Sequence, residues 1–129
     1  MNKAPLNGRE GQKINLGLLL QNSAKQYGFK PFVTQAETGE HLTYTEFNKL
    51  TNHIAHGLID LSFSDEEYIA IMLPSCIQFL ACSYALKKIG VIEVAINSNA
   101  RGPSLARMID MTKCKILITS GKHLQQLSE

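Results

Sequence analysis

The sequence predicts an α/β fold: a doubly wound, mainly parallel sheet with flanking helices. Three observations carry this. From Tyr68 onward the pattern runs strand, helix, strand, helix, strand. The first of these strands, Tyr68-Ile69-Ala70-Ile71-Met72-Leu73, is apolar almost without interruption, as a strand covered on both faces reads. The links are short, which suits right-handed crossovers between parallel neighbours.

Each element has its own signal. Residues 1–14 read as a flexible leader, polar and carrying Pro5, Gly8 and Gly11, without the apolar stretch of a secretory signal. From Leu16 the period turns helical, with Leu16, Leu19, Leu20, Ser23, Ala24 and Tyr27 on one face. Asn15 suits the N-cap, and Gly28 sits where a left-handed glycine would end the helix. Pro31 resets the chain. Residues 32–35 and 41–44 then read as the strands of a hairpin around the turn 37–40. Residues 45–61 form the clearest amphipathic helix, with Phe47, Leu50, Ile54, Leu58 and Leu61 in one stripe and Ala55 beside it. Thr43 and Glu46 have capping-box spacing, and Thr45 is an equal candidate for the cap. Gly57 costs this helix about 1 kcal/mol against alanine, so either a close neighbour explains it or nothing does.

Residues 62–67 are a polar link into the apolar strand, which Pro74 closes. Ser75 and Gln78 suggest a second capping box. The helix 76–89 is apolar nearly all round and is therefore expected to be buried. Gly90 should end it in a left-handed conformation, with strand 91–96 following. Gly102-Pro103 opens the next helix, whose inward face is Leu105, Met108, Ile109 and Thr112. Residues 115–119 read as a third buried strand. The polar tail 121–129 has room for a helical turn or two.

Composition narrows the function. A chain of 129 residues, 44% hydrophobic, fits one domain with a real core. Thirteen basic against eleven acidic residues leave a net charge of +2 without a basic run, which argues against nucleic acid as the principal ligand. Three scattered cysteines, Cys76, Cys82 and Cys114, suit a reducing compartment rather than a disulfide framework. The longest apolar stretch, 76–86, is too short to span a bilayer, so no transmembrane segment is expected and a cytoplasmic location is the default.

Candidate chemistry is sparse. Gly121-Lys122 follows a strand, but a Walker loop needs glycine where Ile116 stands and Ser or Thr where His123 stands. No G-x-G-x-x-G occurs. His53 and His56 have metal-ligand spacing on a helix, yet they flank the apolar stripe on its solvent side and read as solvated. The three cysteines read as packing residues. Glu93 interrupts an apolar strand. Buried, it would need a partner or a raised pKa; at a sheet edge, alternation turns it outward, which is the favoured reading. The residues by themselves assign no catalytic, cofactor-binding or metal site.

The segments taken in order say more. Leu42-Thr43-Tyr44-Thr45-Glu46-Phe47, then Tyr68 through Ser75, then Ala85-Leu86-Lys87-Lys88-Ile89-Gly90, then Ala95-Ile96-Asn97, then Lys115-Ile116-Leu117-Ile118-Thr119 closely resemble the opening of the adenylate-forming ligases, the acyl-CoA synthetases among them. The resemblance covers residues 16–120. Ile96-Asn97-Ser98-Asn99-Ala100-Arg101-Gly102 looks most like the very-long-chain acyl-CoA synthetases and fatty acid transport proteins, and is similar to the carnitine-CoA ligases. Ala95 stands where that superfamily often has proline, and Glu93 where it has an apolar residue.

The resemblance implies that residues 15–129 are a partial N-terminal domain of an acyl-CoA synthetase. The parent enzyme would convert a carboxylate to an acyl-adenylate and then to acyl-CoA, using ATP, Mg²⁺ and coenzyme A. The family's phosphate loop, ribose-binding Asp and C-terminal lysine match no position here. The chain alone is therefore expected to be inactive and to hold no cofactor. Expected partners are the remainder of the ligase, or a second copy through exposed apolar surface. A stand-alone, non-catalytic module that binds a partner protein is the alternative.

Overall fold

The computed structural model describes residues 15–61 and 68–128. The expected leader 1–14 and the polar link 62–67 lie outside the described residues.

Helix α1 (Leu16–Tyr27) starts where the Asn15 side chain accepts from the N–H groups of Gly17 and Leu18, as expected of that cap. It buries Gly17, Leu20 and Ala24, while Leu19 and Tyr27 of the expected inward face are exposed. Gly28 ends α1 without the left-handed conformation: its φ is −27°. Glycine is required there for space, because a Cβ would lie 2.8 Å from Thr45 Oγ1.

Strands β1 (Pro31–Thr34) and β2 (His41–Thr43) form the antiparallel hairpin. Helix α2 (Tyr44–Ile59) follows at once, capped by Thr43 rather than Thr45. The Thr43 hydroxyl accepts from the Glu46 N–H, and the Glu46 carboxylate accepts from the Thr43 N–H at 2.8 Å. The buried face is Phe47, Thr51, Ala55 and Leu58. Leu50 and Ile54 are half-buried, and Leu61 lies beyond the helix, exposed. Thr51 was concealed from the stripe by its polarity; it is buried with its hydroxyl donating to the Asn48 carbonyl at 2.8 Å. Nothing in the structure explains the glycine at position 57.

Strand β3 (Tyr68–Met72) leads into α3 (Ile77–Lys88), then β4 (Ile92–Ala95), α4 (Gly102–Thr112) and β5 (Ile116–Thr119). A short α5 (Gly121–Leu124) and a 3₁₀ turn (Gln125–Ser128) close the described chain. The cap of α3 is Cys76, one residue later than Ser75: its sulfur accepts from the Phe79 N–H at 3.4 Å. Gly90, at φ +74°, turns α3 into β4 as expected.

Strands β3, β4 and β5 make one parallel sheet in the order β4-β3-β5. Among the described residues, β3 alone is therefore covered on both flanks and both faces. Strands β4 and β5 are the edges of the described sheet, and β5, expected to be buried, is half-buried throughout. Alternation splits β3 between two cores. Ile69 and Ile71 pack with Cys82, Ala85 and Leu86 of α3 and with Ala55 and Leu58 of α2. Ala70 and Met72 pack with Leu105 and Ile109 of α4. The two helices thus lie on opposite faces of the sheet.

The all-round apolar helix α3 finds its neighbours within the chain: β3 and β4 on one side, α1 and α2 on the other. A third core fills the space under the hairpin, where Phe47, Leu20 and Ala81 meet Phe32, Tyr44 and Tyr84. The Phe32 and Phe47 rings sit 4.7 Å apart, and Phe47 meets Tyr84 edge-on.

Candidate functional site

In a doubly wound sheet, ligands bind outside the carboxyl ends of the strands, where successive connections leave on opposite faces. Here that point is the carboxyl end of β3, flanked by the ends of β4 and β5. Three loops converge on it.

After β3, Pro74 forces an extended path and Cys76 caps α3. Gln35, beyond the end of β1, reaches this loop. Its Oε1 accepts from the Ile77 N–H at 3.1 Å and its Nε2 donates to the Ser75 carbonyl at 3.5 Å. A cleft of about 290 Å³ lies between these two segments. After β4, the Asn97 side chain accepts from the Asn99 N–H at 2.9 Å. The Arg101 guanidinium donates to the carbonyls of Ser98 and Ala100 at 3.3 and 3.0 Å, so it folds its own loop. After β5, the Thr119 hydroxyl donates to the Met72 carbonyl at 2.9 Å, and Ser120 caps α5. Ser120 Oγ lies 2.6 Å from His123 Nδ1, and His123 is buried.

These polar groups spend their hydrogen bonds on one another. The first N–H groups of α3, which a phosphate would need, are taken by Gln35 and Cys76. The arrangement orders three loops around the end of a central strand; it is a scaffold for a site.

Of the residues singled out from sequence, Cys76 and Gly121-Lys122 border these loops and the others lie elsewhere. His53 and His56 are exposed on α2. No group of three metal-ligating side chains gathers among the described residues. Cys82 is buried in α3, and burial pushes its thiol pKa up, with Cys76 and Glu93 adding to the shift. Cys114 is half-buried before β5. Lys122 lies in α5, away from any glycine-rich turn.

Glu93 is on an edge strand, as favoured, yet its side chain does not stand out in water. It faces α3, pairs with Lys87 Nζ at 2.7 Å and accepts from the Ser83 hydroxyl. Lys87 in turn donates to Ser83 Oγ at 2.8 Å, closing a three-membered network. Lys88 also passed unnoticed in the sequence. Its ammonium donates to Asn48 Oδ1 and Asn52 Oδ1, each at 2.6 Å, and joins α3 to α2. Burial holds its pKa below the usual lysine range. The first network was signalled by Glu93 interrupting its apolar strand; for the second, the signal was the pair of adjacent lysines in the last turn of an otherwise apolar helix.

A separate concavity lies at the β4 edge of the sheet. A groove of about 740 Å³ runs between β4 and α4, lined by Tyr68, Val94, Ile96, Met108 and Met111, with Asn97 and Lys113 beside them. No helix among the described residues is long and apolar enough to cross a membrane.

Comparison with known proteins gives this geometry a context. Residues 20–129 match the family described as AMP-binding enzyme. The acyl-CoA ligase sidI of Beauveria bassiana is 30% identical over 109 residues, which make up 84% of this chain and 19% of that protein. The long-chain-fatty-acid–CoA ligase FadD13 of Mycobacterium tuberculosis is 24% identical over 104 residues, 81% of this chain and 21% of that one. The chain thus spans about a fifth of the length of these curated relatives. Among solved structures, the N-terminal domain of FACL13 from Mycobacterium tuberculosis superimposes with a TM-score of 0.83 at 22% identity, over 90% of this chain and 29% of that one. A long-chain-fatty-acid–CoA ligase from Archaeoglobus fulgidus gives the same TM-score at 20% identity, over 89% of this chain and 24% of its own.

Proposed function

Because this chain belongs to the AMP-binding enzyme family, we propose that it is the N-terminal part of an acyl-CoA ligase. The whole enzyme couples ATP cleavage to activation of a carboxylate as an acyl-adenylate, then transfers the acyl group to the thiol of coenzyme A. The observation that carries this reading is the 30% identity to an acyl-CoA ligase over most of the chain. The very-long-chain or carnitine-CoA branch is the finer proposal, resting on residues 96–102. A cytoplasmic location goes with it.

In this reading the chain supplies architecture and the remainder of the ligase supplies catalysis. The residues here do not fit a nucleoside triphosphate. The start of α3 is closed by Gln35 and Cys76, and Arg101 is bound to its own loop. ATP, Mg²⁺ and coenzyme A are thus assigned to segments beyond this stretch.

The test is to read the source DNA past residue 129 and to express both lengths of chain. A Gly-rich phosphate loop in frame is expected downstream. The extended chain should release pyrophosphate from ATP only when a fatty acid is present. Residues 1–129 alone should neither exchange pyrophosphate nor give a calorimetric signal with MgATP. Tight, Mg²⁺-dependent ATP binding by the 129-residue chain would overturn the proposal.

A further inference from the structure

We infer that the open edge of β4, with the groove between β4 and α4, is the seat of a strand contributed by the rest of the ligase. This rests on the function proposed above and adds where the two parts of the enzyme join.

Strand β4 has one described neighbour, β3. The Ile96 N–H donates to the Ile71 carbonyl at 2.8 Å. Peptide groups alternate along a strand, so those of Glu93 and Ala95 point away from β3 toward the open side. An edge of this kind is a template for another strand unless it is guarded by proline, lysine or an exposed charge. Strand β4 carries no proline and no lysine. Its one charged residue, Glu93, is drawn onto the α3 face by Lys87 and Ser83. The α4 face of this edge is apolar and open: Met111 is 73% exposed and Ile92 50% exposed. An added strand would satisfy the peptide groups of Glu93 and Ala95 and lay its own side chains in the groove against Met108 and Met111.

The rest of the ligase fits this seat better than a second copy does. The chain aligns with less than a third of the FACL13 N-terminal domain at a TM-score of 0.83. Most of a domain of that kind therefore lies beyond the matched stretch, and its core must cross the boundary somewhere. The β4–α4 groove, about 740 Å³ and lined by Val94, Ile96, Met108 and Met111, offers an unfilled apolar concavity for the crossing.

The experiment compares residues 1–129 with the same chain extended through its downstream reading frame. Amide exchange at Glu93 and Ala95 is expected to slow at least about tenfold in the extended chain, and Met111 should resist peroxide oxidation there. Met111→Lys should leave the urea midpoint of the short chain in place and lower that of the extended chain. An extended chain with ligase activity but unchanged exchange at Glu93 and Ala95 and an unmoved Met111→Lys midpoint would overturn the inference alone. A reading frame without ligase segments would overturn the proposed function as well. A short chain that dimerises in light scattering, with Glu93 and Ala95 already protected, would give the seat to a second copy and also overturn it.

Discussion

The two faces of the parallel sheet are built to different depths. On one, Ile69 and Ile71 are fully buried beneath α3, and α3 is itself backed by α1 and α2. On the other, Ala70 and Met72 are equally buried, but behind α4 there is no further long helix among the described residues: the short 3₁₀ turn Gln125–Ser128 packs against it, and the β4 side is left uncovered. Equal burial at the strand therefore conceals unequal support behind it. The sequences of the helices record the difference: α3 is apolar around most of its circumference, whereas α4 carries Arg107, Asp110 and other polar residues on its outer side.

The sharpest way to break this comparison is to delete the same side chain on each face. Leu86 and Leu105 are both essentially inaccessible. Leu86→Ala should cost about 4 kcal/mol, near the upper end for such changes, because three layers hold the cavity open. Leu105→Ala should cost about 2–3 kcal/mol, because α4 can settle toward the groove. Urea midpoints measure both, and equal losses would show that the α4 face is as rigid as the other.

The turns out of the two helices sharpen it further. Helix α3 ends at Gly90 with φ +74°, and α4 ends at Lys113 with φ +54°, the one non-glycine residue in that region among those described. Gly90→Val should destabilise by at least about 1 kcal/mol through backbone strain alone, since a Cβ there meets nothing within 4 Å. Lys113→Gly should act in the opposite direction and stabilise by about 0.5–1 kcal/mol. Opposite shifts in thermal midpoint are the expected result.

The smallest effect concerns the layer behind α3. Hydrogen bonds from the Thr43 backbone N–H, and then from its hydroxyl, hold the Glu46 carboxyl below its ordinary value of 4.5. A carboxyl lowered on folding stabilises the native state above that value, and the contribution is lost as pH falls through the folded-state pKa. The first turn of α2 should therefore fray in acid, seen as a lower protection factor for the Glu46 amide. Glu46→Gln should remove that pH dependence.

How far the sequence foretold these faces depends on the range of the interaction. The Thr43–Glu46 capping box, the Gly90 turn and the double coverage of β3 are local or nearly so, and each was legible. Strand order was not: nothing in Lys115 through Thr119 states that this strand lies at an edge, because its neighbours are chosen by chain packing. Gly28 was misread for the same reason, since the contact that requires it comes from Thr45. Ser75 yielded the cap of α3 to Cys76, because Gln35 arrives from the hairpin to take the Ile77 N–H and sets where the helix starts. The loops gathered at the carboxyl end of the sheet were likewise invisible as a group. Ser120, His123, Arg101 and Gln35 have no shared spacing; the β4-β3-β5 order gathers the first three at one end of the sheet, and the packing of the hairpin beside α3 brings Gln35.

The Gln35 bond to Ile77 also bears on the order of events during folding. It closes a loop of 42 residues to complete the start of α3. Cys76 satisfies the Phe79 N–H locally, but the Ile77 N–H waits for a distant loop closure before the first turn is completed. Synthesis runs from the N-terminus, so the hairpin is already available when residue 77 emerges. The nascent α3 thus meets its capping partner in the chain that preceded it, and the most apolar helix of the molecule need not remain unprotected while later strands are made.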